Sequence, residues 1–147
     1  MRSVTKFVVP LTAVLAAACV GASPAAASDS ASISSPTLVA RGAAVNFNLT
    51  VTCDPYLDYT GAPSTAVEIT VVFRQNVHQS QLTTATYDSG YQMLNICDGS
   101  PHTLSLQVLP SPNPAIKGSA LFNVTETFNS FGGTPAPVTF SDVANIR

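Results

Sequence analysis

Few side chains in this sequence have chemical reach. The 147 residues include three cysteines, two histidines, eight acidic and six basic side chains. Cys53 and Cys97 show no C-x-x-C spacing and have no histidine cluster beside them, so they do not supply the four closely spaced ligands of a structural zinc site. An even pair of thiols in an oxidising compartment pairs as a disulfide, and Cys53–Cys97 is the expected bridge. Closing a loop of that length stabilises a fold by about 4 kcal/mol in the chain-entropy model. Ser100 and His102 share the turn after Cys97, and His78 is the other imidazole. A hydrolase needs its base beside its nucleophile, yet the chain has no G-x-S-x-G, H-E-x-x-H or Walker-type segment. Ser-Pro-His in a turn reads as an exposed imidazole, so no catalytic residue, cofactor or metal is expected. Asp54, Asp58, Asp88 and Asp98 fall in turns without the D-x-D-x-D-G array of a calcium loop. They read as solvated turn residues, as do Glu68 and Arg74 on the outer face of a strand.

The segment most suited to recognition is Asp54-Pro55-Tyr56-Leu57-Asp58-Tyr59-Thr60. Aromatic side chains in a loop on a rigid scaffold are a common contact surface, which makes Tyr56, Leu57 and Tyr59 the candidate partner-binding residues. The competing reading has one tyrosine capping the open end of the core while the other is merely exposed. Asn48-Leu49-Thr50 and Asn123-Val124-Thr125 match the N-glycosylation pattern but lie in expected strands and are assigned no role.

Residues 1–27 read as a secretory leader. Arg2 and Lys6 form a basic start, residues 7–20 an apolar stretch of 14, and Ala25-Ala26-Ala27 a small-residue cleavage pattern after Pro24. That stretch is shorter than the roughly 20 residues needed to span a bilayer, so no membrane span is expected. Cleavage is expected before Ser28, with Asp29 the close alternative. Leu15-Ala16-Ala17-Ala18-Cys19 loosely resembles a lipobox, so a lipid anchor at Cys19 on a cell-surface lipoprotein is a minor alternative. The leader also accounts for part of the positive mean hydropathy of +0.28.

The remaining chain carries four basic and eight acidic side chains, a net charge of −4 against −2 for the whole. Phosphate binding needs clustered Lys or Arg, so nucleic acid is not an expected partner. Hydrophobic alternation at period two marks strands at residues 44–53, 66–77, 102–109 and 118–128. Weaker strands are expected at 37–40 and 138–146, and at 81–87 and 91–97 as a hairpin across Asp88-Ser89-Gly90. Residues 28–36 are expected to be a flexible N-terminal segment and 37–147 the domain. Short strands at this spacing predict an all-β fold, an antiparallel immunoglobulin-like β-sandwich of about seven or eight strands with one disulfide. A small jelly roll or partly open barrel is the runner-up.

The runs Thr37-Leu38-Val39-Ala40-Arg41-Gly42-Ala43-Ala44-Val45, Arg74-Gln75, Cys97-Asp98-Gly99-Ser100-Pro101 and Lys117-Gly118-Ser119-Ala120 resemble small secreted actinobacterial proteins with an Ig-like sandwich and no assigned activity. The resemblance implies export and one disulfide and supplies no catalytic residues. The expected function is therefore a secreted, non-catalytic module, binding or structural, whose partner is an extracellular protein or cell-wall glycan. The alternative is a secreted protease inhibitor or an unrecognised small enzyme.

Overall fold

In the computed structural model, residues 29–78, 81–90, 92–130 and 135–147 are described. The expected leader, its cut before Ser28 and the alternative anchor at Cys19 lie outside them. The alternating segments become strands: β1 (Ser30–Val39), β2 (Ala44–Thr52), β3 (Tyr56–Leu57), β4 (Pro63–Ser64), β5 (Ala66–Asn76), β6 (Leu82–Asp88), β7 (Leu94–Asn95), β8 (His102–Val108), β9 (Gly118–Thr127) and β10 (Val138–Ile146). The count exceeds the expected seven or eight because β3 and β4 are two-residue pieces too short to leave a periodic signal, while β7 is the two-residue part of the strand expected at 91–97. Antiparallel pairing orders β1-β2-β8 in one sheet and β10-β9-β5-β6 in another, with β7 also on β5 and β3-β4 apart.

The two larger sheets meet across one core. Val45, Phe47, Leu49 and Val51 of β2 face Val67, Ile69, Val71 and Phe73 of β5 and Phe122 and Val124 of β9. Phe122 touches both sides, 5.1 Å from Phe47 in the opposite sheet and 5.4 Å from Phe73 on the neighbouring strand. Such tilted and edge-on pairs add to the area they bury. Outward positions carry hydroxyl and amide pairs across strands: Thr50 with Thr103, Ser105 with Asn48, Gln107 with Asn46, and Thr125 with Thr139. These neutral ladders explain how the sheets are solvated with so little charge.

A seam between β1 and β10 joins the sheets along one side. The Leu38 N–H donates to the Arg147 carbonyl and the Arg147 N–H to the Pro36 carbonyl, at 3.2 and 3.1 Å. That pattern is parallel pairing of Thr37 with Arg147. Further along, the Ile33 N–H donates to Asp142 Oδ2 at 2.8 Å. Between these points β1 shifts register on β2 between Ser34 and Thr37, where Ser35 takes φ 53°. At Gly42, φ is +91° and a Cβ would lie 2.0 Å from the Ala115 carbonyl oxygen, so only glycine fits where that loop crosses.

Two expectations are corrected. β1 starts at Ser30, so most of the segment 28–36 is paired strand, and the short strand expected at 37–40 is its end. The pattern was faint because Ile33 and the half-buried Ala31 face inward among serines, with only Ile33 large. The hairpin across Asp88-Ser89-Gly90 does not form. β6 pairs with residues 70–76 of β5, and β7 with Ala66 and Val67 of the same strand. Gly90 N–H donates to Asp88 Oδ1 and Ser89 Oγ accepts from the Ile69 N–H, at 2.7 and 3.0 Å. The turn chemistry therefore makes a jog along one sheet edge instead of a reversal.

Cys53 and Cys97 are disulfide-bonded, as expected. Cys53 follows β2 of one sheet, and Cys97 follows β7, which is paired to the other. Both are buried, and the Gly99 N–H to Cys53 carbonyl bond closes the same junction at 2.9 Å. The bridge spans 44 positions, for which loop closure is worth about 4 kcal/mol. Reduction is expected to lower the melting temperature by about 10 °C or more, read by thermal denaturation with and without reductant; an unchanged melt would contradict this.

Candidate functional site

The loop chosen for its aromatic residues is a tight hairpin. Tyr56 and Leu57 of β3 pair with Ser64 and Pro63 of β4. At its tip, Asp58 Oδ1 accepts from Thr60 N–H, Thr60 Oγ1 and Ala62 N–H at 2.8, 2.6 and 3.1 Å. The Thr60 hydroxyl is the main reason the Asp58 carboxyl is held below its usual range, and the backbone donors of Ala62, Thr60 and Gly61 add to it. The Asp58 N–H donates to the Ala62 carbonyl at 2.8 Å, and the Tyr59 N–H to the Asn129 carbonyl at 3.0 Å. Asp58 also bridges Ser130. The tip is fixed from within and anchored to the chain after β9.

This geometry divides the three candidate residues. Tyr56 is buried, edge-on to Phe128 with centroids 5.2 Å apart, and its hydroxyl donates to the Ala66 carbonyl. It closes the end of the core and is unavailable to a partner, which corrects its place in the candidate trio. Leu57 and Tyr59 project, at 55% and 64% exposure. Beside them is a cleft of about 360 Å³ lined by Glu68, Met93, Thr127, Phe128 and Asn129. Asn129 is common to both: it lines the cleft and holds Tyr59 through its carbonyl.

The histidines are not brought together. His102 Nε2 lies 2.9 Å from Asp98 Oδ1, which also accepts the Ser100 N–H at 2.9 Å. The His102 contact is the main cause of the lowered Asp98 pKa. His102 sits at the disulfide end, whereas His78 lies beyond the far end of β5. The eleven residues of that strand span roughly 35 Å at the usual rise. Asp54 and Asp88 lie in separate turns, and among the described residues no three His, Cys, Asp or Glu side chains are grouped to hold a metal ion.

One residue that the sequence analysis passed over stands out. Glu126 occupies an inward position of β9, between Val124 and Phe128, and is fully buried. Neither carboxylate oxygen has a hydrogen-bond partner among the described residues. The other buried polar side chains are satisfied: Gln75 donates to the Ile116 carbonyl at 2.8 Å and accepts its N–H at 3.0 Å, and Thr83 donates to the Asn113 carbonyl. Burial, and secondarily the Asp29 charge, push Glu126 up to about 7. Strict parity was the signal: position 126 falls in the inward series 120, 122, 124 and 128.

Two outcomes follow. Alanine at both Leu57 and Tyr59 is expected to leave stability within about 0.5 kcal/mol, whereas Tyr56→Ala costs on the order of 3–5 kcal/mol, measured by denaturant unfolding. With residues before Asp29 still attached, native Glu126 holds its proton up to about 7 and the unfolded chain only to about 4.5. Native protein then binds more protons across that window, so this contribution to stability is full below 4.5 and is lost as pH rises through 7. Melting curves from pH 5 to 8 should show Glu126→Gln gaining on the parent as pH rises; a constant difference would refute it. No family model matches the chain, and no curated protein matches it in sequence.

Proposed function

We propose that the chain is a secreted, non-catalytic immunoglobulin-like β-sandwich module that binds an extracellular protein through its β3–β4 hairpin. The observation that carries the binding reading is the pair Leu57 and Tyr59, exposed on a tip whose backbone is already fixed by Asp58 and Asn129. A pre-ordered tip loses little conformational freedom on binding, so its apolar contact converts more fully into affinity. An aliphatic side chain beside an aromatic one favours a protein surface over a glycan, for which stacking platforms are the usual device. The adjoining cleft, with Met93 and Phe128 in its wall and Glu68 at its side, suits a partner that projects an apolar side chain next to a basic one.

The immunoglobulin-like reading is supported by strand order. Of the seven long strands, the first, second and fifth share one sheet, and the third, fourth, sixth and seventh share the other. That division is the one expected of such sandwiches when the fourth strand joins the larger sheet. Two features depart from antibody domains: tryptophan is absent, and the disulfide leaves β2 for the segment after β7, not for β9. Export is supported by the disulfide, which persists in oxidising compartments, and by the leader pattern. Among the described residues no helix is long and apolar enough to cross a membrane.

The test is retention on immobilised protein lacking residues 1–28, incubated with culture filtrate and with isolated cell wall. A filtrate protein retained by the parent and lost from Leu57→Ala/Tyr59→Ala is the expected result. Equal retention by both proteins, or retention of wall glycan alone, would overturn the hairpin as a protein-binding site.

A further inference from the structure

A buried carboxylate without a partner costs several kcal/mol unless it stays protonated or meets a cation. Among the described residues, the surroundings of Glu126 offer no cation. On the strands paired to it, Ile69 of β5 and Val138 of β10 stand opposite, while Glu68 and Thr127 occupy the alternate, outward positions. On its own face the neighbours are Val124 and Phe128. At the start of β1, Ser30 pairs with Thr52 of β2, next to Cys53. The acid on β10, Asp142, is four residues along from Val138 and already accepts the Ile33 N–H. Among the described residues, the charged group near enough to act on Glu126 is Asp29, another acid.

Counting back along β1 and β10 from their contacts brings the backbone of Asp29 to about the same level. β1 and β10 run parallel through Thr37 and Arg147, and Ile33 meets Asp142 further along. Four residues back from that contact lie Asp29, the residue just before β1, and Val138, the partner of Glu126. Asp29 is also one of the two residues before which the leader is expected to be cut.

We propose that Glu126 is the binding site for the chain's own α-ammonium, created when the leader is removed at Asp29. This rests on the reading of the chain as exported and processed. Hydrolysis of the Ser28–Asp29 peptide bond by a leader peptidase consumes one water. It leaves a carboxylate on Ser28 and an amine on Asp29 that is protonated at neutral pH. The amine supplies the positive charge that the uncleaved peptide lacks and gives Glu126 up to three N–H donors. The pair pins the start of β1 to the end of β9, across the open end of the β1–β10 seam. Folding would thereby be completed by processing, and the sign of the pH dependence would reverse. A paired Glu126 is ionised at pH 7, and its contribution lasts until the amine loses its proton at higher pH.

Four proteins test the pair. Two begin at Asp29 and two carry Gly-Ser before it, each with Glu126 or Glu126→Gln. All contain the whole core cluster, which is built from Ile33 onward, and so can fold without the leader. At pH 7.5, Glu126→Gln is expected to lower the melting temperature of the chain that begins at Asp29 and to raise that of the extended chain. The Asp29 amine, followed by NMR, should titrate well above the ordinary α-amino value of about 7.7–8.0 and return to it in Glu126→Gln. Equal effects of Glu126→Gln in both backgrounds, or an amine with an ordinary titration, would overturn the pair. N-terminal sequencing of the exported protein checks the processing separately: the maturation step requires the alternative cut, with a start at Asp29, and another start would overturn it while the four defined proteins still decide the pair.

Discussion

The space between two facing sheets admits one layer of side chains from each, about 10 Å in all. Everything else in this fold depends on filling that layer. Phe122 reaches across to Phe47 and sideways to Phe73, so three strands are locked to one another through aromatic contact. Parity then fixes all other positions, because a register slip of one residue would exchange the apolar and polar faces of a strand. Thr and Asn can dominate the outer faces because the core and the ladders set register without charge. Apart from Glu68 and Arg74 on β5 and Glu126 on β9, charged side chains fall mostly in turns and at edges, where Asp58 and Asp98 organise loop backbone.

The same constraint raises the stakes for any polar residue of inward parity. Gln75 turns its position to use by gripping Ile116 through both ends of its amide, which ties the long connection between β8 and β9 to the end of β5. Thr83 does likewise with Asn113. A carboxylate can only accept when ionised, and the backbone donors around Glu126 are engaged in the pairing of β5, β9 and β10. Its place beside the start of β1 therefore has a different character from the other two. Gln75 and Thr83 are served by chain already in place, whereas Glu126 has no partner among the described residues.

How much was legible in the sequence follows from how each element is held. β2, β5, β8, β9 and β10 carry period-two patterns because each has one face in the core, and their limits in the fold lie within a residue or so of the pattern. β1 was half legible: Ser30, Ser32 and Ser34 surround a single large apolar residue, Ile33, and the strand is held by backbone pairing and the β10 seam, which leave no side-chain signature. The jog after β6 was read as a reversal since Asp-Ser-Gly serves either, and only the vacancy along β5 decides between them. The disulfide was readable from arithmetic and compartment. Tyr56 and Tyr59 were indistinguishable by type, and what separates them is the position of Phe128, distant in sequence. Glu126 was hidden by its own chemistry, because a charged residue in an alternating run reads as an interruption.

The hairpin and the buried carboxylate lie near one end of the molecule, and a structural chain connects them. Glu126 is followed on the core face by Phe128, which packs on Tyr56. Asn129 and Ser130 then anchor Tyr59 and Asp58. Glu126 thus stands two residues before the lid of the core, and three or four residues before the supports of the exposed tip. A module that relies on a pre-ordered tip gains most from firmness in that stretch of β9. The proposed ion pair at Glu126 would supply that firmness.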